Sequence, residues 1–277
     1  MVAFVIWHYK TIDETLLCLK YLESTFSKSE YKEIVVDNNS LKKSEIEEIK
    51  KFTKDIVLLN ENIGFAKANN EGAKYAIKKY NPNFLAIINN DVYITQKNFI
   101  SIIKDNYEKY NFDILGPWID SPSGESCNPF PIIDKSLIEK QIKYNKKLIK
   151  IYSSSILTLL LKKYICIKHL IKKPNVPRNG DKLEKNVGLH GCAIIFSKKY
   201  YEKYKDIFYN ETFLFYEEEF LYNRVIKDKL ISIYDPRLKV FHKEGTSVKT
   251  TGNSRKSKLF REKEKLKSLE LLKKQSF

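Results

Sequence analysis

Over the first 117 residues, short apolar runs alternate with amphipathic stretches. VAFVI (2–6), EIVVD (33–37), IVLLN (56–60), FLAII (84–88) and DILG (113–116) are rich in β-branched residues and predict five strands. Between them, apolar positions recur at helical spacing. A helix near 13–23 carries Leu16, Leu17, Leu19 and Leu22 on its apolar side, and one over 42–53 turns Ile46 and Ile49 inward with Ser40 as its N-cap. Further helices are expected over 65–80 and 97–110. Strands that are continuously apolar fit a sheet covered on both faces. Their alternation with helices implies right-handed βαβ units, hence an α/β fold with a mostly parallel sheet flanked by helices.

Beyond residue 117 the pattern changes. The stretch 118–133 is rich in Pro, Ser and Gly and reads as loop, and 135–173 is a Lys-rich amphipathic segment of helical character ended by Pro174, Pro177 and Gly180. A strand at 192–196 (CAIIF), a helix at 198–205, a helix opening at Glu217, strands at 230–234 and 240–242, and a helix at 255–274 follow. The last helix places Leu259, Leu266, Leu269 and Leu272 on one side. The chain therefore divides into a βαβ region (1–117), a second region (118–250) with a basic helical insertion at about 135–173, and a basic amphipathic C-terminal helix (251–277).

Charge sharpens that division. The net charge is +16, yet 135–185 holds 14 Lys/Arg against 3 Asp/Glu and 242–277 holds 11 against 4, so the remainder is close to neutral. Two basic elements on a neutral body fit docking on an anionic surface, membrane or nucleic acid, or else simply solvated helices. An apolar fraction of 43% excludes a disordered chain. Cys18, Cys127, Cys166 and Cys192 show no metal-like spacing and read as reduced thiols. MVAFVIWHYK lacks a basic leader and the apolar region 151–161 is too short to span a bilayer, so a soluble chain is expected.

In open α/β sheets ligands bind at the carboxyl ends of the strands. Tyr9-Lys10, Asp37-Asn38-Asn39 and Asn89-Asn90-Asp91 all fall there, although Asn and Asp are also ordinary turn formers. Neither a GxxxxGK[ST] loop nor a GxGxxG after the first strand is present, which argues against an NTPase and a nicotinamide enzyme. Without a glycine cradle, a divalent cation on Asp91 is the natural way to neutralise a diphosphate. Hard oxygen ligands suit Mg²⁺ or Mn²⁺, and an imidazole from His242 would favour Mn²⁺. In LFYEEEFL (214–221) three carboxylates sit inside an apolar run. Acidic residues at a helix start offset its dipole, while an aromatic wall beside packed carboxylates raises the proton affinity of one of them.

Six segments in order carry a family resemblance: VDNNS (36–40), NENIGFAKANNEGAKYA (60–76), INNDV (88–92), HGCAIIFSKKYYEKY (190–204), FLFYEEEFL (213–221) and DPRLKVFH (235–242). Together they resemble the motif series of bacterial family 2 glycosyltransferases with the GT-A fold, particularly those building capsular or O-antigen polysaccharides. The resemblance covers roughly 2–117 and 186–248. It implies that Asp37 contacts the nucleotide base with Tyr9 and Asn39 beside it, and that Asn62, Gly64, Lys67 and Asn70 line the nucleotide pocket. It further implies that Asn89, Asn90 and Asp91 are the diphosphate and metal motif, with His242 as a second ligand to Mn²⁺ or Mg²⁺. Glu218 would be the general base, Glu217 its neighbour on the acceptor or the base itself, and Glu219 a helix-start residue. His190, Gly191 and Cys192 would border the acceptor or else form a buried structural turn. The sequence departs from the series in having Asn89 at the first acidic position and Glu217-Glu218 where Glu-Asp is usual, and 118–185 matches no motif.

The expected activity is inverting transfer of a sugar from a UDP- or dTDP-linked donor to a saccharide acceptor, lipid-pyrophosphate-linked, by an enzyme peripheral on the cytoplasmic face of the cell membrane. The basic segments 135–173 and 255–274 would dock on an anionic bilayer. A nucleic-acid-binding protein is the competing class, but no binding module appears and no nucleic-acid partner is expected. A sugar nucleotidyltransferase and a non-catalytic membrane-binding relative remain as alternatives.

Overall fold

In the computed structural model, which describes residues 1–122, 126–159, 181–243, 252 and 254–275, strands and helices alternate as the apolar pattern dictates. The elements are β1 (Val2–His8), α1 (Ile12–Thr25), β2 (Tyr31–Asp37), α2 (Lys43–Lys50), β3 (Ile56–Leu58), α3 (Phe65–Tyr80), β4 (Phe84–Asn89), β5 (Val92–Tyr93), α4 (Phe99–Tyr110) and β6 (Ile114–Asp120). They are followed by α5 (Lys135–Ser153), β7 (Glu184–Lys185), β8 (Ala193–Ser197), α6 (Lys198–Lys203), α7 (Glu217–Lys227), β9 (Ser232–His242) and α8 (Arg255–Gln275).

One sheet has the order β3-β2-β1-β4-β8-β6-β9-β5, with β7 on β9. β1 to β4 pair in parallel, β8 runs antiparallel between β4 and β6, and β6 pairs β9 in parallel. Along β1 the side chains alternate between two cores, as a strand covered on both faces requires. Phe4 and Ile6 pack with Leu19 and Leu22 of α1, while Ala3, Val5 and Trp7 pack with Ala66, Ala73 and Ala76 of α3. The small face of α3 allows that helix to lie close to the sheet, and a side chain at Gly72 would run into Val36 and Val5.

Several expectations are corrected. Leu17 is exposed, and the apolar face of α1 runs through Cys18, Leu19 and Leu22. Ser40 does not cap α2; Lys42 holds that position, with its N–H donating to Glu45 at 2.7 Å, while Ser40 folds back on Asp37. The segments 230–234 and 240–242 are one strand, β9, whose DPRL stretch is a bulge where its pairing with β6 shifts register. The helix expected over 135–173 is regular only to Ser153, with a further helical turn at 155–159; the rest of that expectation lies outside the described residues.

The leucine stripe of α8 is not a free face. Leu269 and Leu272 are buried with Ile138 of α5 and Phe220 of α7 in a third, small core. Lys146–Glu270 (3.1 Å) and Lys273–Glu139 (2.9 Å) bridge α5 to α8, and Arg255 donates to the Tyr152 carbonyl at 3.0 Å. The two basic helices thus pack on each other and on α7. No helix of the described residues is long and apolar enough to cross a membrane.

Candidate active site

At the carboxyl edge the backbone turns sharply, and much of its polar side-chain capacity maintains those turns. Asp37, buried at the end of β2, accepts from the Ser40 N–H (2.9 Å), the Ser40 hydroxyl (3.0 Å) and the Leu41 N–H (3.2 Å). Asn39 takes a left-handed conformation (φ 57) and is exposed. Asn38, fully buried, donates to Asn62 Oδ1 at 2.7 Å and accepts from the Ile63 N–H at 2.9 Å. Asn62 in turn accepts from the Gly64 N–H at 3.1 Å. These amides organise the loop that leads into α3. Gly64, at φ 87, is required there, because a Cβ would collide with the Phe213 carbonyl.

The candidate nucleotide residues separate by exposure. Tyr9 is half-buried with its ring over Trp7, and Lys67 is exposed on the first turn of α3. Asn70 is buried and fully engaged: it donates to the Phe208 carbonyl at 3.0 Å and accepts from the Phe208 N–H at 2.9 Å. Asn90 likewise donates to the hydroxyls of Thr11 (2.8 Å) and Thr15 (2.9 Å). Both amides act as internal struts. The second strut extends to His8, whose Nδ1 lies 2.7 Å from Thr15 Oγ1; burial lowers the His8 imidazole to about 4. His8 has no signal in the sequence, since it ends an apolar strand.

Asp91 and His242 come together although 151 positions separate them in sequence. β5 pairs with the end of β9 in the register Val92 to His242, and His242 Nε2 lies 3.2 Å from Asp91 Oδ1, both residues buried. Two donors about 2.1 Å from one octahedral cation lie roughly 3 Å apart, so this spacing and the O/N donor set fit Mg²⁺ or Mn²⁺. Two ligands alone are few for such an ion. Among the described residues no third His, Cys, Asp or Glu joins them, which is the composition expected when substrate phosphates complete the shell. The His242 ring lies 6.1 Å from that of His190.

His190 leads into a cavity of about 450 Å³, lined by Trp7, Phe65, Asn89, Phe130, His190, Gly191, Cys192, residues 214–219 and Lys265. The backbone N–H of Cys192 donates to His190 Nδ1 at 3.1 Å, leaving Nε2 as the ring's N–H. The motif series does not include Trp7, Phe130 or Lys265, and assigns Phe65 no role. Alternation marks Trp7 as core, and nothing local marks the others as neighbours of the glutamates.

The glutamates divide sharply. Glu218 is half-buried and accepts from the Gly191 N–H at 2.9 Å; a Cβ at residue 191 would stand 2.9 Å from that same oxygen, so glycine lets the carboxylate approach. Glu217 and Glu219 are buried, and each has one carboxyl oxygen with no hydrogen-bond partner among the described residues. Burial, reinforced by Glu218, pushes both carboxyls up to about 8. Glu219 is a helix-start residue, as expected, and it also turns inward, between the cavity and a groove lined by Ile138 and Leu272. The loop before them is strained. Phe215 and Tyr216 adopt consecutive left-handed conformations (φ 76 and 69), which for non-glycine residues costs on the order of 1–3 kcal/mol each.

The comparisons with known proteins agree with this architecture. The model of the family described as glycosyl transferase family 2 matches residues 5–205, a span that ends before the glutamates and His242. No curated protein matches the sequence. Among solved structures, S. aureus TarS 1-349 aligns with 87% of this chain and 60% of its own at 14% identity and a TM-score of 0.52. The same protein in complex with UDP-GlcNAc gives 88%, 58%, 12% and 0.53. GalNAc-T7 with UDP, GalNAc and Mn²⁺ gives 88%, 44%, 10% and 0.58. The chain spans less than two thirds of the length of each, and at such identities the likeness concerns the fold, which is the expected GT-A arrangement of a mostly parallel sheet between helices. With the greater part of the sequence inside the family match, the chain belongs to glycosyl transferase family 2.

Proposed function

We propose that this protein transfers a sugar, with inversion, from a UDP- or dTDP-linked donor to a saccharide acceptor. The observation that carries the proposal is the Glu218 carboxylate, held at 2.9 Å on the Gly191 N–H in an aromatic-lined cavity that Asn89 and His190 also border. Aromatic faces suit the apolar faces of sugar rings, and a fixed carboxylate suits removal of a hydroxyl proton. Asp37, Tyr9 and the Asn62–Gly64 loop flank the nucleotide position, and Asp91 with His242 would hold the Mn²⁺ or Mg²⁺. When bound, that cation supplies charge neutralisation of the departing diphosphate.

In the reaction, the acceptor hydroxyl lies against Glu218, gives it a proton as it attacks the anomeric carbon, and displaces the nucleoside diphosphate from the opposite face. The Gly191 N–H fixes the carboxylate for that transfer. Glu217, buried and protonated near neutral pH, contributes a hydrogen-bond donor to the acceptor side rather than a second base.

The acceptor is read as a lipid-pyrophosphate-linked saccharide of surface polysaccharide assembly, reached from an anionic bilayer. Support for the membrane comes from the lysines exposed on α5 and from Leu137, Tyr144 and Ile156, which are exposed beside them, since Leu269 and Leu272 of the α8 stripe are buried. Nucleotide release over a panel of UDP-, dTDP- and GDP-sugars with Mn²⁺ or Mg²⁺ tests the reading. Turnover of one donor, lost in Asp91→Ala, is expected; no metal-dependent turnover with any donor contradicts it.

A further inference from the structure

The segment that carries the glutamates is pinned from three directions. From α3, the Phe65 N–H donates to the Phe213 carbonyl at 2.9 Å. From α8, the buried Ser268 hydroxyl donates to the Leu214 carbonyl at 3.0 Å. From α5, Gln141 Oε1 accepts from the Tyr216 hydroxyl at 2.7 Å. Between these anchors lie Phe215 and Tyr216, the two consecutive left-handed residues, and directly after them α7 begins with Glu217 and Glu218. A bulky pair in that conformation persists only when its surroundings enforce it.

We infer that Ser268 is a positioning residue for the reaction: the C-terminal helix holds the Leu214 carbonyl, fixes the left-handed turn behind it, and so sets the Glu218 carboxylate on the Gly191 N–H. Gln141 acts in the same way through Tyr216. The inference rests on the reading of Glu218 as the base. It assigns to the two basic helices a task within the site, and of these only α8 lies beyond the family match, which ends at residue 205. The placement explains why the apolar stripe of α8 faces inward: Leu269 and Leu272 seat the helix against Phe220 of α7, which brings Ser268 to the loop. Ser268 touches neither the cavity nor, on this geometry, the substrate, so its influence runs through the backbone of 214–216.

The test uses the full chain carrying Ser268→Ala or Ser268→Thr. The probe is release of nucleotide from the donor that the wild-type protein turns over, with water as acceptor. Misplacement of a catalytic group by about 1 Å costs up to about 100-fold, and loss of one anchor of three should lower kcat by about tenfold. The KM for donor and the Kd for free nucleotide should stay within about twofold, and Ser268→Thr, which keeps the hydroxyl, should recover most of the loss. Hydrogen exchange in 213–218 should accelerate in Ser268→Ala with α3 unchanged. Wild-type kcat in Ser268→Ala overturns the inference, as does equal impairment in Ser268→Thr, or nucleotide affinity falling in step with kcat. If the wild-type protein turns over no donor, the reading of Glu218 as base fails first and the inference falls with it.

Discussion

Three buried amides at the carboxyl edge of the sheet and the carboxyls of the acidic loop obey opposite rules. At the edge, Asn38, Asn70 and Asn90 are buried and hydrogen-bonded to backbone or hydroxyls, so their chemistry is consumed in shaping the turns. In the loop, Glu217 and Glu219 are buried with carboxyl oxygens that lack partners among the described residues, behind two strained aromatics. Buried polar groups are normally satisfied, and exceptions need a reason. These amides form a rigid frame; the loop stores unfavourable terms that the surrounding helices maintain. Function is expected to concentrate where the rules of stability are violated.

That contrast can be broken at either end. The largest stability effect should come from the joint between the two regions, Gly64, where a side chain meets the Phe213 carbonyl at φ 87. Gly64→Ala is expected to cost more than about 4 kcal/mol, measured by denaturant unfolding. Next comes the frame: Asn70→Ala strands the N–H and carbonyl of Phe208 and should cost roughly 2–4 kcal/mol. A change near zero would mean that the edge amides are not struts.

The loop should show the reverse sign. Glu219 is pushed up to about 8, so its carboxyl holds a proton more tightly folded than unfolded. Its contribution is fully present below the ordinary glutamate range near about 4.3 and is lost as pH rises toward 8. Glu219→Gln, which cannot ionise, should therefore be more stable than wild type by roughly 1–3 kcal/mol at pH 8, with the gain vanishing near pH 5. Destabilisation at pH 8 would show that the charge is compensated. The smallest effect concerns the outer faces of α5 and α8. Flotation should recover the protein with anionic vesicles and not with neutral ones, and added salt should weaken the binding. Equal recovery with both, or with neither, contradicts a bilayer partner.

How much of this was legible depended on how local each cause is. The strands and α3 followed from apolar periodicity, because burial on both faces is written residue by residue. The apolar pattern reads β9 as two strands, whereas its pairing with β6 carries the chain through DPRL as a bulge. The meeting of Asp91 and His242 is suggested by donor chemistry and family likeness, since nothing in local spacing encodes the β5–β9 register. Asn70 and Asn90 are expected at the nucleotide pocket from the motif series, and a motif position does not reveal the internal hydrogen bonds each amide makes. Glu219 is legible as a helix-start residue, but not the rotation of α7 that turns it inward. The leucines of α8 suggested a bilayer, and a helix partner satisfied the same stripe.

The central claim is that Glu218 is the base. Measuring transfer and nucleotide affinity side by side in Glu218→Gln tests it most directly. The account predicts that transfer falls by about 10²–10⁴-fold while nucleotide binding and fold stability remain those of the wild type. Transfer within about tenfold of wild type would contradict the account.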